Sequence, residues 1–399
     1  MRTLHGYSPG MRTQVGIVGA GPAGLTLAHL LHLEGIESVI LEQRSRGYVE
    51  QRVRAGVLEQ GTVDLLVATG VGDRLRREGI VHGGIELRFG GEGHRIPMSD
   101  LTGGRAITIY GQQEVVKDLI AARLAYDGPL LFETADVAIH DFETDRPRIT
   151  FVHDGRQGEL ECDVIAGCDG FHGVCRDSVP AGVLQVHERE YPFGWLGILA
   201  TVAPSTDELI YAHHERGFAL HSLRSPKLSR LYLQVDPEAP IDDWPDERIW
   251  EELHLRFERE GWTLHEGPII EKGITPMRSF VAEPMQHGRL YLAGDATHIV
   301  PPTGAKGLNV AVHDVKVLAE GLVEWYRSGA TELLETYSDT CLRRVWRVQD
   351  FSNFMTTLLH RLDVDGFEDR LQRARLEYVC SSEAASRSLA ENYVGLEKV

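Results

Sequence analysis

Residues 15–42 read VGIVGAGPAGLTLAHLLHLEGIESVILE, and this stretch decides the fold. Its first apolar run, 15–18, is typical of a buried parallel strand, and helical apolar spacing follows over 23–33. A second apolar run, 38–41, predicts another strand directly before an acidic residue. The stretch therefore predicts a strand-helix-strand unit with parallel strands.

The glycines of this stretch form the pattern G-x-G-x-x-G. Gly19 allows a tight turn, Gly21 lets a pyrophosphate approach the backbone and the helix N-terminus, and Gly24 permits close helix-strand packing. The glycines alone are weak evidence, because glycine is common in turns. Glu42 after the second strand strengthens it, because a carboxylate there can bind ribose hydroxyls. We predict an adenine dinucleotide as the ligand.

Length and charge limit the possible partners. The 399 residues suffice for about two or three domains with a large buried core. The formal net charge of -18 repels nucleic acids and anionic membrane surfaces, so we expect neither as a partner. An anionic small ligand would also be repelled and would need arginines at its site. No apolar run reaches the ~18 residues of a membrane span.

Cysteine and histidine usage point to a reduced protein without a metal. The five cysteines include no C-x-x-C, which is typical of reduced thiols, so we expect a cytoplasmic location. His213 and His214 lie beside Glu215, but their adjacency predicts opposite faces of a strand, and no metal site is expected. Residues 1–10 have no periodicity and precede a second Met, so we predict a disordered extension there.

A second glycine-containing turn lies near the middle of the chain. A predicted strand over 160–166 runs into Gly167, Asp169 and Gly170, and a predicted helix follows. The arrangement fits a second backbone loop that approaches a bound cofactor. An Asp-Gly turn that only joins two elements fits equally well.

A third turn follows the predicted strand 290–293. It begins with Gly294 and Asp295, continues through an irregular Pro-Pro-Thr-Gly stretch, and leads to a long helix that starts at Gly307. A carboxylate at a strand end can hold a ribityl or ribose hydroxyl. Amides in the first turn of a helix can face a carbonyl.

The pattern between the second and third turns is different. Period-two strands over 194–235 predict a separate antiparallel sheet, and 246–260 predicts a helix. Upstream, the glycine-rich segment 83–105 predicts a hairpin, and helical spacing resumes at Val57. From 331 onward the chain is predicted to be helical.

The three turns, in this order, resemble the fingerprints of the single-component, FAD-dependent flavoprotein aromatic hydroxylases. Longer strings carry the same resemblance from Met11 to about Leu396: RAGVLEQGTVDLL, IAGCDGFHG, YPFGWLG, ELIYA, RSFV, QHGRLYLAGDATHIVPPTGAKGLN and AENYVGL. These strings are long and specific, and this chain differs very little in length from the family over the same range. The resemblance implies a known fold, cofactor and chemistry.

The implied fold is α/β, with a Rossmann-like, glutathione-reductase-like FAD-binding domain, an inserted antiparallel-sheet substrate domain and a helical C-terminal region. The predicted division is a disordered extension at 1–10, an FAD-binding domain at 11–185 with the hairpin near 83–105 inserted, a substrate-binding sheet at 186–277, a second part of the FAD-binding domain at 278–320, and a helical interface region at 321–399. A homodimer through the C-terminal helices is implied with it.

The resemblance also assigns roles to residues. The implied FAD contacts are Gly19, Gly21, Gly24, Glu42, Arg54, Gln112, Asp169, Asp295, Leu308 and Asn309. Those implied for the substrate are Ser222, Arg224 and Tyr232 at a carboxylate, with Tyr211, Tyr393 and Pro302 around a phenol and His82 at the outer end of a proton relay. Those implied for the nicotinamide donor are Arg44, Arg52, His172 and Arg278.

The implied reaction hydroxylates 4-hydroxybenzoate ortho to its phenol, giving 3,4-dihydroxybenzoate with NAD(P)H and O2 through a flavin hydroperoxide. A phenol with a pKa of about 10 is only ~0.1% ionised at neutral pH, and lowering that pKa to about 7 requires ~4 kcal/mol. Two tyrosines leading to a histidine that titrates near neutrality can remove the proton. Arg44 or Arg52 could bind a 2'-phosphate while Glu50 would oppose it, and the balance favours NADPH weakly over NADH.

Two alternatives remain open from the sequence. A related flavin hydroxylase could act on an aminobenzoate or a dihydroxybenzoate, because Leu209, Leu220, Thr303 and Ala305 set a pocket volume that sequence cannot measure. A non-catalytic FAD-binding protein is the other alternative. Loss of the arginine or the tyrosines would favour it, but all of them are present.

Overall fold

The computed structural model describes residues 11–52, 56–362 and 366–395. The strands are β1 Met11–Val18, β2 Ser38–Leu41, β3 Val57–Leu58, β4 Ile80–His82, β5 Ile85–Phe89, β6 Glu92–Ile96, β7 Ile107–Ile109, β8 Leu130–Leu131, β9 Ala135–His140, β10 Arg148–His153, β11 Arg156–Gly167, β12 Gln185–Ala200, β13 Leu209–Ala212, β14 Ala219–Ser225, β15 Leu228–Val235, β16 Ile269–Glu283, β17 Gln286–His287, β18 Leu290–Leu292 and β19 His298–Ile299.

The helices are α1 Pro22–Leu33, α2 Arg46–Gln51, α3 Gln60–Ala68, α4 Asp73–Glu78, α5 Met98–Leu101, α6 Gln112–Ala125, α7 Val174–Asp177, α8 Asp246–Arg256, α9 Gly307–Ser328, α10 Glu332–Glu335, α11 Tyr337–Leu359, α12 Gly366–Ser381 and α13 Glu383–Val394. Short 3-10 turns occupy Ile241–Asp243, Gly294–Ala296 and Pro302–Gly304.

The first sheet contains the predicted strand-helix-strand unit. Its main order is β17-β18-β11-β1-β2-β8, and β10 and β9 extend it from β11. β1 pairs in parallel with β2 and β11, and β11 pairs in parallel with β18. Because the carboxyl ends of parallel strands lie at one edge of a sheet, the three glycine-containing turns meet there.

Both faces of the first sheet are covered, which explains its continuous apolar strands. Val15 and Ile17 pack in a core cluster that includes residues of α1, α6 and α9. Val18 and Val39 pack on the other face with residues of β9 and β10.

The second sheet has the order β19-β16-β12-β15-β14-β13-β5-β6. The predicted strands of 194–235 lie at its centre, and the predicted hairpin forms as β5 and β6 and joins this sheet by pairing with β13. One face packs against α8 through residues such as Leu231 and Phe257. The opposite face packs against α11 to α13 through residues such as Tyr211 and Tyr393.

Some local predictions were wrong. Val57 was expected to begin a helix but lies in β3, where it pairs with Ile109 and is therefore held extended; the helix begins at Gln60. The predicted helix at 246–260 ends at Arg256, and α2 was not predicted.

The predicted α/β fold with an antiparallel sheet and a helical C-terminal region is confirmed. Within the described ranges, no helix has the length and apolar composition needed to cross a membrane.

Candidate active site

The first glycine turn has the geometry that a dinucleotide needs. Gly19 has φ +104°, and its amide donates to Leu41 O. A Cβ on Gly19 would lie 2.3 Å from Cys168 O, and one on Gly24 would lie 2.1 Å from Gly19 O, so a side chain is excluded at both positions. A Cβ on Gly21 would meet nothing within 4 Å, and this open space lies at the N-terminus of α1.

The other two turns converge on the first. The clash distance between Gly19 and Cys168 places the second turn against the first, and a Cβ on Gly294 would lie 3.5 Å from the Cβ of Ala23 in α1. Asp169 accepts a hydrogen bond from Cys175 N through Oδ2, and its buried Oδ1 has no partner among the described residues. Burial raises the pKa of Asp169. An unpartnered buried carboxylate oxygen fits a ligand hydroxyl, so these residues fit FAD.

Gly21 offers a test in which folding and cofactor binding separate. Gly21→Ala should fold normally, because the residue has ordinary extended backbone angles and its Cβ meets no atom. The added methyl would fill the pyrophosphate space, so we expect FAD affinity to fall by about 10- to 100-fold. Fluorescence titration of the apoprotein with FAD measures this. Gly61→Ala in α3, where a Cβ is also free, is the control, and equal FAD affinity in both variants would contradict the placement.

The remaining predicted FAD residues occupy several places around this edge. Glu42 binds Ala20 N and Arg44 N, which ties it to the first turn. Asp295 lies in the 3-10 turn after β18, and Gln112 begins α6, which packs against α1. Arg54 lies outside the described residues.

The start of α9 was predicted to approach the flavin through Leu308 and Asn309. Leu308 is partly buried against the core beneath the first sheet. Asn309 is buried and binds the segment before α3: its Oδ1 accepts from Glu59 N, and its Nδ2 donates to Val57 O and Ala305 O. The Asn309 side chain is therefore engaged by protein groups.

The register of the second sheet places the predicted substrate residues on one face. Tyr211 pairs with Leu220, which pairs with Tyr232 on the other side. Ser222 alternates with Leu220 along β14 and shares its face. The pairing with β15 is irregular between Leu223 and Ser225, and the 3.0 Å contact of Arg224 Nη1 with Ser222 Oγ places the Arg224 side chain beside Ser222. The strand order thus brings Tyr211, Ser222, Arg224 and Tyr232 together from three adjacent strands.

Arg224 is a cation without a carboxylate partner in the described ranges. Its Nη1 donates to Ser222 Oγ and to Leu223 O, both at 3.0 Å, and its buried Nε has no partner there. Burial lowers the pKa of the guanidinium, and Tyr232 opposes that shift. A half-buried guanidinium with an unused donor fits an anionic ligand, most simply a carboxylate.

Two phenols meet at the other end of this face. The Tyr211 hydroxyl contacts the Tyr393 hydroxyl and also donates to Thr303 O at 3.2 Å. The carbonyl of Pro302, predicted to face the substrate phenol, accepts from Ala305 N within the 3-10 turn, and its role at the substrate stays a prediction. The contact of Thr303 O with Tyr211 was not predicted. The sequence interpretation missed it because the direction of a carbonyl depends on turn geometry.

The model of the family described as "FAD binding domain" matches residues 12–352. The chain belongs to the FAD-binding domain family. A relative from Acinetobacter baylyi, p-hydroxybenzoate hydroxylase, is 51% identical over 388 residues, covering 97% of this chain and 96% of the relative. The predicted membership of the FAD-dependent aromatic monooxygenases is thereby confirmed.

Two further similar proteins are more distant. The 3-amino-4-hydroxybenzoate 2-monooxygenase of Streptomyces cremeus is 26% identical over 388 residues, covering 91% of both chains. The crystal structure of p-nitrophenol 4-monooxygenase from Pseudomonas putida superposes with a TM-score of 0.84 at 20% identity, covering 98% of this chain and 100% of that one. At that identity the likeness shows the shared fold.

His82 was predicted to stand at the outer end of a proton relay, but its environment differs from the one expected for that role. Its side chain is fully buried in β4, and neither ring nitrogen has a hydrogen-bond partner among the described residues. Burial lowers the pKa of His82 to about 4, although Glu208 and Asp207 oppose the shift. The expected titration near neutrality is wrong for this conformation because the ring is desolvated.

The burial of His82 predicts a pH dependence of stability. Its folded pKa of about 4 lies below the ordinary 6.5, so the unfolded chain binds the extra proton. Stability is therefore lost as the pH falls from about 6.5 towards 4. Between about pH 7 and pH 5 the protonation of His82 in the unfolded chain should lower the free energy of unfolding by about 2 kcal/mol. His82→Gln should lack this part of the pH dependence. Urea unfolding with saturating FAD measures it. The exposed His265→Gln serves as control, and parallel wild-type and His82→Gln curves would contradict the assignment.

A buried ion pair near the site was not predicted. Lys306 Nζ donates to Glu59 Oε1 at 2.6 Å and to Tyr393 O at 2.8 Å, and Arg344 binds the other carboxylate oxygen of Glu59. These contacts join the start of α9, the segment before α3, α11 and α13. Glu59 and Lys306 are 247 positions apart, so their pairing left no local signal in the sequence.

The predicted nicotinamide residues form two separate surface clusters. Arg44 and Arg52 lie over the ring of Tyr48, at 5.3 and 5.9 Å from its centroid. His172 and Arg278 meet at Phe171, through an edge contact and a cation-π contact of 5.2 Å. Glu50, expected to oppose a 2'-phosphate, forms an ion pair with Arg46 at 2.7 Å.

The two adjacent histidines lie just past β13 rather than within it. His213 Nδ1 contacts Leu359 O, and His214 Nδ1 accepts from Arg216 N. Among the described residues, no three or more His, Cys, Asp or Glu side chains lie together in a group that could hold a metal ion.

Proposed function

We propose that this FAD-dependent monooxygenase hydroxylates 4-hydroxybenzoate ortho to its phenol to give 3,4-dihydroxybenzoate. The observation that carries the proposal is the position of Arg224, a guanidinium without a carboxylate partner in the described ranges, on the same sheet face as Tyr211. The face thus offers a cation for a carboxylate and a phenol pair for a hydroxyl. The 51% identity to p-hydroxybenzoate hydroxylase supports the same substrate.

At one end of this face, the guanidinium of Arg224 binds the substrate carboxylate in a bidentate arrangement. Ser222 holds the guanidinium through the 3.0 Å hydrogen bond to Nη1, and Tyr232 completes the face. Planar guanidinium groups match carboxylates with two parallel hydrogen bonds. This cation answers the need for a local positive charge in a protein of net charge -18.

At the phenol end, Tyr211 and Tyr393 take the substrate proton, and the turn Pro302–Gly304 closes the pocket. Burial raises the pKa of both tyrosines, so they act as hydroxyls that pass a proton rather than as anions. His82 is retained as a proposed acceptor beyond them. Because its pKa is depressed, proton uptake by His82 requires an environment more polar than the one seen here.

The dinucleotide edge of the first sheet holds FAD. The proposed contacts are Gly19, Gly21, Gly24, Glu42, Arg54, Gln112, Asp169, Asp295, Leu308 and Asn309. FAD, once reduced, supplies the activation of dioxygen that no side chain provides. The protein positions the substrate ring and excludes water.

The electron donor is proposed to be NADPH, bound at the surface. Arg44 and Arg52 around Tyr48 offer two cations to a 2'-phosphate, and the ion pair of Glu50 with Arg46 removes much of the opposing charge. His172 and Arg278 are proposed to contact the same donor. Initial rates with NADPH and NADH decide between the two donors.

The alternative substrate class is an amino-substituted hydroxybenzoate. The specific observation that favours it is the relative from Streptomyces cremeus, named 3-amino-4-hydroxybenzoate 2-monooxygenase, which covers 91% of this chain. Its 26% identity is half that of the p-hydroxybenzoate hydroxylase, so it is the second candidate.

We also propose a cytoplasmic homodimer that associates through the C-terminal helices. Phe367 and Tyr378 in α12 are 68% and 62% exposed, and Trp346 and Phe354 add apolar surface on α11. Exposed aromatic side chains are typical of association surfaces. All five cysteines are free thiols, in keeping with a reducing compartment.

Turnover of three aromatic compounds, two acids and one amide, tests the proposed function. The FAD-loaded protein is given 4-hydroxybenzoate, 3-amino-4-hydroxybenzoate or 4-hydroxybenzamide, and NAD(P)H oxidation and aromatic product are measured together. We expect the highest kcat/KM with 4-hydroxybenzoate and almost none with the amide, which lacks the carboxylate for Arg224. A higher kcat/KM with 3-amino-4-hydroxybenzoate would support the alternative substrate class. Equal rates with 4-hydroxybenzamide and 4-hydroxybenzoate would contradict the carboxylate site.

A further inference from the structure

A pair of buried hydroxyls connects α11 to the turn beside the two phenols. Thr356 Oγ1 lies 2.9 Å from Thr303 Oγ1 and 2.7 Å from Ser352 O, and both threonines are completely buried. Thr356 Oγ1 is the donor in both contacts, so its one proton is shared between Ser352 O and Thr303 Oγ1. The side chain of Thr303 is thereby fixed, while its carbonyl accepts from Tyr211.

The backbone of Thr356 is also held. His360 is fully buried at the end of α11, and both its backbone amide and its Nδ1 lie 3.0 Å from Thr356 O. His360 Nε2 accepts from Trp195 Nε1 at 2.6 Å, and the Trp195 ring lies 4.8 Å from that of Tyr232. Burial lowers the pKa of His360 to about 3, so the ring is neutral. Neutral imidazole can donate through one nitrogen and accept through the other, as this arrangement requires.

We infer that Thr356 is a positioning residue for the hydroxylation: it fixes the Thr303 turn, and through Thr303 O the orientation of Tyr211 at the substrate phenol. The inference rests on the proposed function, since it concerns that same pocket. Its physical basis is a chain of contacts from Trp195 on the second sheet through His360 and Thr356 to Thr303. A fixed dipole stabilises a developing phenolate better than one that must reorient.

Thr356→Val keeps the shape of the side chain and removes its hydroxyl. The Thr303 turn then loses the partner that fixes it, and we expect the pKa of bound 4-hydroxybenzoate to rise by about half a unit to one unit. Product formed per NAD(P)H oxidised should fall about threefold or more, and peroxide should replace it. The dissociation constant for the substrate should change less than about twofold, because Arg224 is untouched.

The experiment compares four proteins, all loaded with FAD: wild type, Thr356→Val, Thr356→Ser and Thr357→Val. Thr356→Ser retains the hydroxyl and should behave as wild type. Thr357 is the next residue of α11. Among the described residues its hydroxyl binds Asn353 O and Phe354 O, both in its own helix, so Thr357→Val is the matched control. Absorbance titration of bound 4-hydroxybenzoate gives the phenol pKa, and chromatography gives product and peroxide yields.

A raised phenol pKa and lowered coupling in Thr356→Val alone support the inference. If the phenol pKa and the coupling are unchanged in Thr356→Val, or change equally in Thr357→Val, the inference is overturned. The proposed function still stands in that case, provided that the wild type forms the hydroxylated product. If wild type forms no hydroxylated product, the proposed function and the inference both fail. Should Thr356→Val not fold, Thr303→Val removes the other hydroxyl of the pair. A raised pKa of bound 4-hydroxybenzoate in that variant supports the inference, and an unchanged pKa overturns it.

Discussion

Arg224→Lys should raise the dissociation constant for 4-hydroxybenzoate by about 10- to 100-fold. Lysine keeps the charge but loses the planar pair of donors, and one or two charge-assisted hydrogen bonds are worth about 1.5–3 kcal/mol each. Ser222 would also lose the 3.0 Å contact that holds the guanidinium. Titration of the FAD absorbance with substrate measures the constant. FAD binding should be unchanged, because the substitution lies on the second sheet.

Arg259→Lys is the matched control for this result. Arg259 is a partly exposed arginine whose Nη1 already pairs with Glu86 at 3.1 Å. We expect its variant to bind substrate as wild type does. If Arg224→Lys and Arg259→Lys gave the same dissociation constant as wild type, Arg224 would not be the carboxylate ligand, and the assigned orientation of the substrate would be wrong.

Tyr211→Phe should separate NAD(P)H oxidation from hydroxylation. The variant removes the hydroxyl that contacts both Tyr393 and Thr303 O, so the substrate phenol loses its first proton acceptor. A phenol with a pKa of about 10 is then mostly protonated at neutral pH, and its ring is a poor nucleophile. We expect product per NAD(P)H to fall about tenfold or more, with peroxide replacing it, while the substrate dissociation constant stays within a few-fold.

The control for Tyr211→Phe is Tyr191→Phe. Tyr191 is another buried tyrosine of the second sheet, and its hydroxyl donates to Asn353 at 3.1 Å, a side chain on α11. Its loss should leave coupling intact. Peroxide yield and product yield are measured in the same samples. A Tyr211→Phe enzyme as well coupled as wild type would remove Tyr211 from the proton path.

The dinucleotide unit could be predicted because its signals are local. The glycine spacing, the apolar strand and the acid after β2 all lie within 28 residues and are imposed by backbone geometry at the turn. The order of the later turns was also predictable, since each follows an apolar strand. That these turns meet at one edge depends on the parallel pairing of β11 with β1 and β18.

Other features depend on tertiary packing and left no signal in the sequence. The burial of His82 results from how β4 packs, and it moves the pKa of the ring far from the expected value. The ion pair of Lys306 with Glu59 joins residues that are 247 positions apart in the chain. Likewise, the contact of Thr303 O with the Tyr211 hydroxyl depends on the local turn.

The role of the Arg224 face was predicted by family resemblance rather than by chemistry alone. An arginine on a period-two strand is more often a solvated side chain, and only the register of β13, β14 and β15 places it with Tyr211. The structure adds the observation that Arg224 lacks a carboxylate partner within the described ranges. Because its charge is not paired there, the guanidinium is available to bind the carboxylate of a ligand.

Incorporation of labelled dioxygen tests the central claim most directly. The FAD-loaded protein is incubated with NAD(P)H, 4-hydroxybenzoate and heavy-isotope O2, and the aromatic product is analysed by mass spectrometry. The account predicts 3,4-dihydroxybenzoate carrying one labelled oxygen at the position ortho to the original phenol, formed only with FAD. An unlabelled product, a product hydroxylated elsewhere on the ring, or NAD(P)H oxidation that yields only peroxide would contradict it.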